Sequence, residues 1–370
     1  VNNLVLKVQI LAIAFAAHFS GMAIEITMSS SVGELTQQDF LNRQAQKCME
    51  LVASTYKSRT SASPIHLNFY AADNKGETFQ NRQALYNIGK KFSYRSFDMN
   101  GSQPVDWSLE TNCRSISQLK PYYMLSAHES LFSDESSVIL MTLVSNTHVS
   151  SDVLATGVGE YLSEKGVSQV VFEYPGYGGS LGPTDAQQVV RSSVAAIQFL
   201  KQQFPNKKIF LLGHSIGAGF AYETAARAGD LIDGVMTYGG IMSVYKQSED
   251  QKGFGPKWLT KAYIWLASKK GEILDFENVL EKIVAKNPKL PFLILHGEAD
   301  MSVPVRHSVD IKSSIRATVK SKLSIKLQKN FTVHTIPGAG HEEVHFPADK
   351  ERFFQVWDQY FRFMATTYAN

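Results

Sequence analysis

From Val138 onward, short apolar runs alternate with longer amphipathic ones, and that alternation constrains the fold more than any other feature of the chain. Val138–Val144, Gln169–Tyr174, Ile209–Leu212, Val235–Tyr238, Phe292–His296 and Thr332–Ile336 have the length and composition of strands. Ser151–Lys165, Ala186–Gln203 and Ala218–Ala228 read as the helices between them. Strands that are apolar at successive positions, rather than at every second one, need cover on both faces. The predicted class is therefore α/β: a mostly parallel central sheet with helices on both sides. In such sheets ligands sit beyond the carboxyl ends of the strands, so chemistry is sought in the loops after these runs.

Composition removes several other classes. The 370 residues are 44% hydrophobic and 19% charged, with 25 Gly and 12 Pro, which fits an ordinary globular protein and not a collagen-like or disordered one. A formal net charge of +3 gives no electrostatic footprint for nucleic acid, so none is expected as a partner. No CxxC, HExxH or Cys/His ligand spacing occurs, so neither a metal nor another cofactor is expected. The glycine-rich Pro175-Gly176-Tyr177-Gly178-Gly179-Ser180 lacks the GK[ST] ending of a phosphate loop.

The amino-terminal part has a different character. Lys7 is the one charged side chain of Val1–Ala23, Ile10–Ala17 is a compact apolar run, and small residues stand at Gly21 and Ala23. That pattern predicts a signal peptide over residues 1–23 and export to the periplasm or medium. An uncleaved membrane anchor is the alternative, and a buried helix of the fold a third reading. A helix over Gln37–Tyr56 and strands at Ile65–Ala72, Lys91–Phe97 and Tyr122–Ser126 are expected next. Residues 24–115 thus form an extension that either joins the main sheet or stands as a small lobe. Cys48 and Cys113 suit a disulfide in an exported chain, and equally two separate thiols.

The strongest local signal is Gly213-His214-Ser215-Ile216-Gly217, directly after the run Ile209–Leu212 and directly before the small-residue helix. Strand, tight turn and helix together hold a serine hydroxyl on the tip of a strained corner, and flanking glycines relieve the crowding there. A serine nucleophile needs a base, and the base an orienting carboxylate. Asp300, with Glu298 as the alternative, follows the run Phe292–His296. His341 follows Thr332–Ile336 on the loop Pro337-Gly338-Ala339-Gly340. The chain order is Ser, Asp, His.

With these motifs, and with Phe172-Glu173-Tyr174-Pro175-Gly176-Tyr177-Gly178-Gly179-Ser180 and Phe276-Glu277-Asn278, the chain resembles the α/β-hydrolases over about residues 116–370. Within them it is similar to the serine hydrolases that include the Bem46-like and serine-aminopeptidase-like groups. The resemblance implies Ser215 as nucleophile, Asp300 as the orienting acid and His341 as the base. His214 and His296 would be packing residues, His334 a strand residue, and His307 and His345 alternatives to His341. The oxyanion would be held by the backbone N–H of Ile216 and by one from the loop after an early strand. That loop usually carries His-Gly and here reads Val144-Ser145-Asn146-Thr147-His148. Thr147 is nearest the donor position, one residue either way remains open, and Asn146 or His148 offers a side-chain donor.

Residues 241–275 are the natural cap insertion, and Phe254, Trp258, Tyr263, Ile264, Trp265 and Leu266 either roof an apolar acyl site or pack the cap down. Lys312, Arg316, Lys320, Lys322, Lys326 and Lys329 form a basic stretch that is either a weak membrane-surface contact or a solvated face. The expected function is an exported serine hydrolase cleaving carboxylic esters or thioesters through an acyl-enzyme, with a small-molecule or lipid-like acyl substrate. The alternatives are a peptidase or amidase on the same triad and a catalytically silent binding or effector protein.

Overall fold

The computed structural model describes residues 94–98 and 124–368, except for 147, 149, 155, 176, 178–179, 181–185, 244–245, 248–249, 251–275, 323–329 and 346–348. The expected signal peptide, the helix over 37–56, the strand at 65–72, both cysteines and most of the cap lie outside the described residues. Among the described residues, no helix is long and apolar enough to cross a membrane.

Among the described residues, eight strands form one sheet: β1 (Tyr94–Asp98), β2 (Met124–His128), β3 (Val138–Leu143), β4 (Val167–Phe172), β5 (Lys208–His214), β6 (Gly234–Tyr238), β7 (Phe292–Gly297) and β8 (Phe331–Ile336). Their order is β1-β2-β4-β3-β5-β6-β7-β8. β1 and β2 are antiparallel to each other, and β2 is antiparallel to β4. Every other pairing is parallel.

The continuous apolar runs are explained by two cores, one on each face. Ile139, Met141, Leu143, Ile209, Leu211, Phe292 and Ile294 point into one core. The intervening Val138, Leu140, Phe210, Leu212, Leu293 and Leu295 point into the other. Successive strand residues face opposite sides, so covering both sides leaves no position for a polar alternation.

The first core is closed by α3 (Ala186–Gln203), α4 (Ile216–Ala228), α5 (Phe276–Lys286) and α6 (Arg306–Lys322). The second is closed by α2 (Val158–Ser163) and α7 (Lys350–Tyr368), with α1 (Ser150–Leu154) preceding α2. α3 and α7 each bury one side, with Val189, Val190, Ser193, Ala196, Ile197 and Leu200 on α3 and Phe353, Val356, Trp357, Tyr360 and Met364 on α7.

The single helix expected over Ser151–Lys165 is instead two, α1 and α2. Gly157 between them has φ 72°, a left-handed conformation that ends one helix before the next begins. The basic stretch turns out to be partly helical. α6 buries His307, Ser308, Ile311 and Ile315 at helical spacing, and Lys312 is exposed on its outer side. Arg316, Lys320 and Lys322 share that helix, whereas Lys326 and Lys329 lie outside the described residues.

One close approach sets where the functional loops meet. A β-carbon added to Gly217, the second residue of α4, would overlap the backbone carbonyl of Leu143 and lie 2.6 Å from that of Val144. The helix start is thus pressed against the carboxyl end of β3. Gly217→Ala is expected to lower unfolding stability by about 1–3 kcal/mol, as overpacking does. At Gly340 an added carbon meets nothing closer than 3.9 Å, so Gly340→Ala should stay within about 0.5 kcal/mol. Urea unfolding of both variants checks this, and equal shifts would contradict it.

Candidate active site

β5 ends at His214, and α4 begins at Ile216. Ser215 between them has φ 57° and ψ −120°, and it is the one non-glycine residue with positive φ among those described. Such a conformation costs about 1–3 kcal/mol and persists only where its surroundings over-determine it. Here the Ser215 amide donates to the Tyr238 carbonyl at 3.0 Å, and the Ser215 carbonyl accepts from the Ala218 amide at 3.1 Å. A β-carbon on Gly213 would lie 2.5 Å from the Gly217 carbonyl oxygen, so the corner tolerates no side chain at that position. The Ile216 N–H is the first of α4 and has no acceptor within its own helix, so it is free to face an anion.

Asp300 follows β7 and His341 follows β8, and the structure brings them together. Asp300 Oδ2 is 2.6 Å from His341 Nδ1, while Oδ1 accepts from the amides of Ser302 at 2.9 Å and Val303 at 2.8 Å. His296 Nε2 approaches Oδ2 at 3.4 Å. Burial alone would raise the Asp300 carboxyl. The contacts from His296 and His341 and the Val303 amide outweigh it and hold the group well below its usual 3.8. An ionised carboxylate only accepts, so His341 Nδ1 is the donor and the neutral ring presents an unprotonated Nε2.

The loop carrying His341 is anchored through its backbone. His214 Nε2 donates to the His341 carbonyl at 2.8 Å, and the Tyr238 hydroxyl donates to the Gly340 carbonyl at 2.8 Å. The His214 and His341 rings lie 4.9 Å apart, so His341 packs against the residue that precedes Ser215. Among the described residues the Ser215 hydroxyl makes no hydrogen bond. Hydrogen bonds of catalytic serines often form only when substrate is in place.

The competing candidates sit elsewhere. Glu298 accepts from the exposed Thr335 hydroxyl at 2.7 Å and does not touch His341. His307 accepts from the Met242 amide at 3.0 Å and donates to Asp250 at 3.0 Å, with burial first among the causes that push it down to about 4. His345 is fully buried against the His214 ring, and burial pushes it down to about 3. His334 is exposed on β8. His214 and His296 are both fully buried, His296 between Ser308 Oγ and the Val303 carbonyl.

Thr147 lies outside the described residues, but the segment around it is held firmly. The Tyr174 hydroxyl donates to the Val144 carbonyl at 2.7 Å, Tyr177 donates to Asn146 Oδ1 at 3.0 Å, and Ser145 Oγ is 2.6 Å from His148 Nδ1. One site residue escaped the sequence reading. Gly239, just past β6 with φ 54°, faces the acid–base pair so closely that an added carbon would lie 3.0 Å from both Asp300 Oδ2 and His341 Nδ1. Its signal, a Gly-Gly pair after a strand, is shared by many loops without a site.

The family model described as serine aminopeptidase, S33 matches residues 140–290. The chain is 25% identical over 179 residues to the alpha/beta hydrolase domain-containing protein aho-3 of Caenorhabditis elegans, spanning 48% of this chain and 44% of that protein. The match therefore covers less than half the length of that relative. Among solved structures, Est1E from Butyrivibrio proteoclasticus with bound ferulic acid superposes with a TM-score of 0.51 at 19% identity, covering 68% of this chain and 97% of that one. An alpha-beta hydrolase from Vibrio vulnificus gives 0.52 at 14% identity, covering 76% and 84%. The chain has the α/β-hydrolase fold.

The depressed Asp300 carboxyl has a consequence for acid stability. Its contribution is fully present above the ordinary carboxylate range and is lost as pH falls below 3.8 toward the folded-state value. Unfolding free energy measured from pH 6 to pH 2 should fall less steeply in Asp300→Asn than in the parent chain. Parallel curves would contradict the assignment.

Proposed function

We propose that this chain is a serine hydrolase cleaving carboxylic esters or thioesters. The reading is supported by the Asp300–His341 hydrogen bond of 2.6 Å, on loops after parallel strands whose carboxyl ends share an edge with a serine held at φ 57° between strand and helix. In this mechanism His341 Nε2 takes the Ser215 proton as Oγ attacks the acyl carbon, and Asp300 holds the tautomer and stabilises the imidazolium. The Ile216 N–H donates to the tetrahedral oxyanion, with the loop around Thr147 as the expected source of the second donor. His341 returns the proton to the leaving alcohol or thiol, which leaves an acyl-enzyme. Water activated by the same imidazole then releases the acid and frees Ser215.

The aromatic content of residues 241–275 favours an apolar acyl group over a charged one. A second reading, amide cleavage at a peptide amino terminus, is favoured by the description of the matching family model, serine aminopeptidase. Kinetics on a p-nitrophenyl acyl-ester series and on aminoacyl p-nitroanilides separate the two. The expected outcome is a higher kcat/KM on esters, falling at least about 10³-fold in His341→Ala. A preference for the anilides would replace ester cleavage with the aminopeptidase reading. Ester turnover unaffected by His341→Ala would remove the base from the mechanism.

A further inference from the structure

Three side chains from distant parts of the chain converge beside the His341 loop. His148 follows β3, His214 ends β5, and Glu342 comes directly after His341. One potential ligand atom from each lies within 4.8 Å of the other two. Glu342 Oε2 is 3.8 Å from His148 Nδ1 and 3.9 Å from His214 Nε2. Although the Glu342 side chain reaches solvent, this oxygen is itself buried and has no hydrogen-bond partner among the described residues. A carboxylate oxygen hidden from water without a donor is costly, so a positive charge at that point would relieve a real deficit.

The donor set matches one class of ion. Two imidazoles and one carboxylate suit a borderline divalent cation such as Zn²⁺, with a fourth position left to water. Metal–ligand bonds of about 2.0–2.2 Å put tetrahedral donors roughly 3.3–3.6 Å apart, so the two measured separations need close by only about half an ångström. The two nitrogens are differently engaged. His148 Nδ1 pairs with the Ser145 hydroxyl, which can swing away and leave the lone pair exposed. His214 Nε2 donates its proton to the His341 carbonyl at 2.8 Å. To bind a cation it must move that proton to Nδ1, which is buried and has no hydrogen-bond partner among the described residues. Metal at His214 and the anchoring of the His341 loop therefore exclude each other.

We propose that His148, His214 and Glu342 form a binding site for a divalent cation of the zinc class, and that its occupancy removes the His214 anchor of the His341 carbonyl, shifts the His341 loop and inhibits the enzyme. The binding half stands independently, whereas the inhibitory half rests on the hydrolase reading. Local sequence spacing could not reveal this site, because its ligands come from three separate loops brought together by the sheet.

The test uses the full chain freed of metal by chelation. Co²⁺ is added and its visible d–d absorption recorded, and Zn²⁺ affinity is measured against a chromogenic chelator. The same titration is followed by p-nitrophenyl ester turnover. The expected result is about one equivalent of tetrahedral Co²⁺, with Zn²⁺ affinity falling at least about tenfold in Glu342→Gln and in His148→Gln. Ester turnover should fall with the midpoint of Zn²⁺ binding, and the fall should shift in parallel in both variants. Thermal unfolding of each variant separates a lost ligand from a lost fold. Absence of Co²⁺ bands, or Zn²⁺ affinity unchanged in both folded variants, would overturn the site. Binding with turnover unaltered would overturn the inhibition. If metal-free protein cleaves no ester while the Co²⁺ signal behaves as expected, the cation site stands and the hydrolase reading falls.

Discussion

The contact between the start of α4 and the end of β3 is the constraint on which the site depends. Gly217 sits against the carbonyls of Leu143 and Val144, and Gly213 sits against Gly217. With no side chain at either position, the helix begins immediately after the strand, and Ser215 has no conformation open to it but the left-handed one. Three consequences follow from that steric fact. The hydroxyl stands on the tip of the corner, the next N–H heads a helix with its positive dipole end outward, and the loop after β3 is brought to the same spot. Loosening the approach would disperse all three at once.

The acid–base pair is held by a second layer of constraint, and most of it is backbone. His341 and Gly340 are fixed through their carbonyls by His214 and Tyr238, so the loop depends on neighbouring strands β5 and β6 as well as on its own His341 side chain. Asp300 is nearly buried and would resist ionisation without the contacts made by His296, His341 and two amides. Gly239 completes the arrangement by leaving space where β6 passes under the pair. A carboxylate buried in this way is ionised because of its neighbours, and its charge in turn fixes the imidazole tautomer.

Much of this was legible in the sequence because it is local. The strand, turn and helix around Ser215 follow from adjacent residues, and the parallel sheet follows from runs with no polar alternation. Asp300 and His341 stand on loops after strands, which by itself ties them to one edge of a parallel sheet. What was not legible depends on distant contacts. α6 reads as a basic stretch because, among its described side chains, the inward-facing ones are His307, Ser308, Ile311 and Ile315, set apart by helical spacing. The break at Gly157 is one residue in a pattern that otherwise satisfies a single helix. Asp300 and Glu298 are two residues apart on one loop, and only the fold shows which of them meets His341. The meeting of His148, His214 and Glu342 has no spacing rule at all.

The central claim is that Ser215 is an activated nucleophile, and active-site labelling tests it most directly. The full chain would be treated with a fluorophosphonate, with and without prior heat denaturation, and the modified peptide located by mass spectrometry. The expected result is stoichiometric modification of the native protein at Ser215, abolished by denaturation and by Ser215→Ala. Folded protein that takes up no label, or that carries it on another residue, would contradict the claim and leave the α/β-hydrolase fold without the chemistry proposed for it.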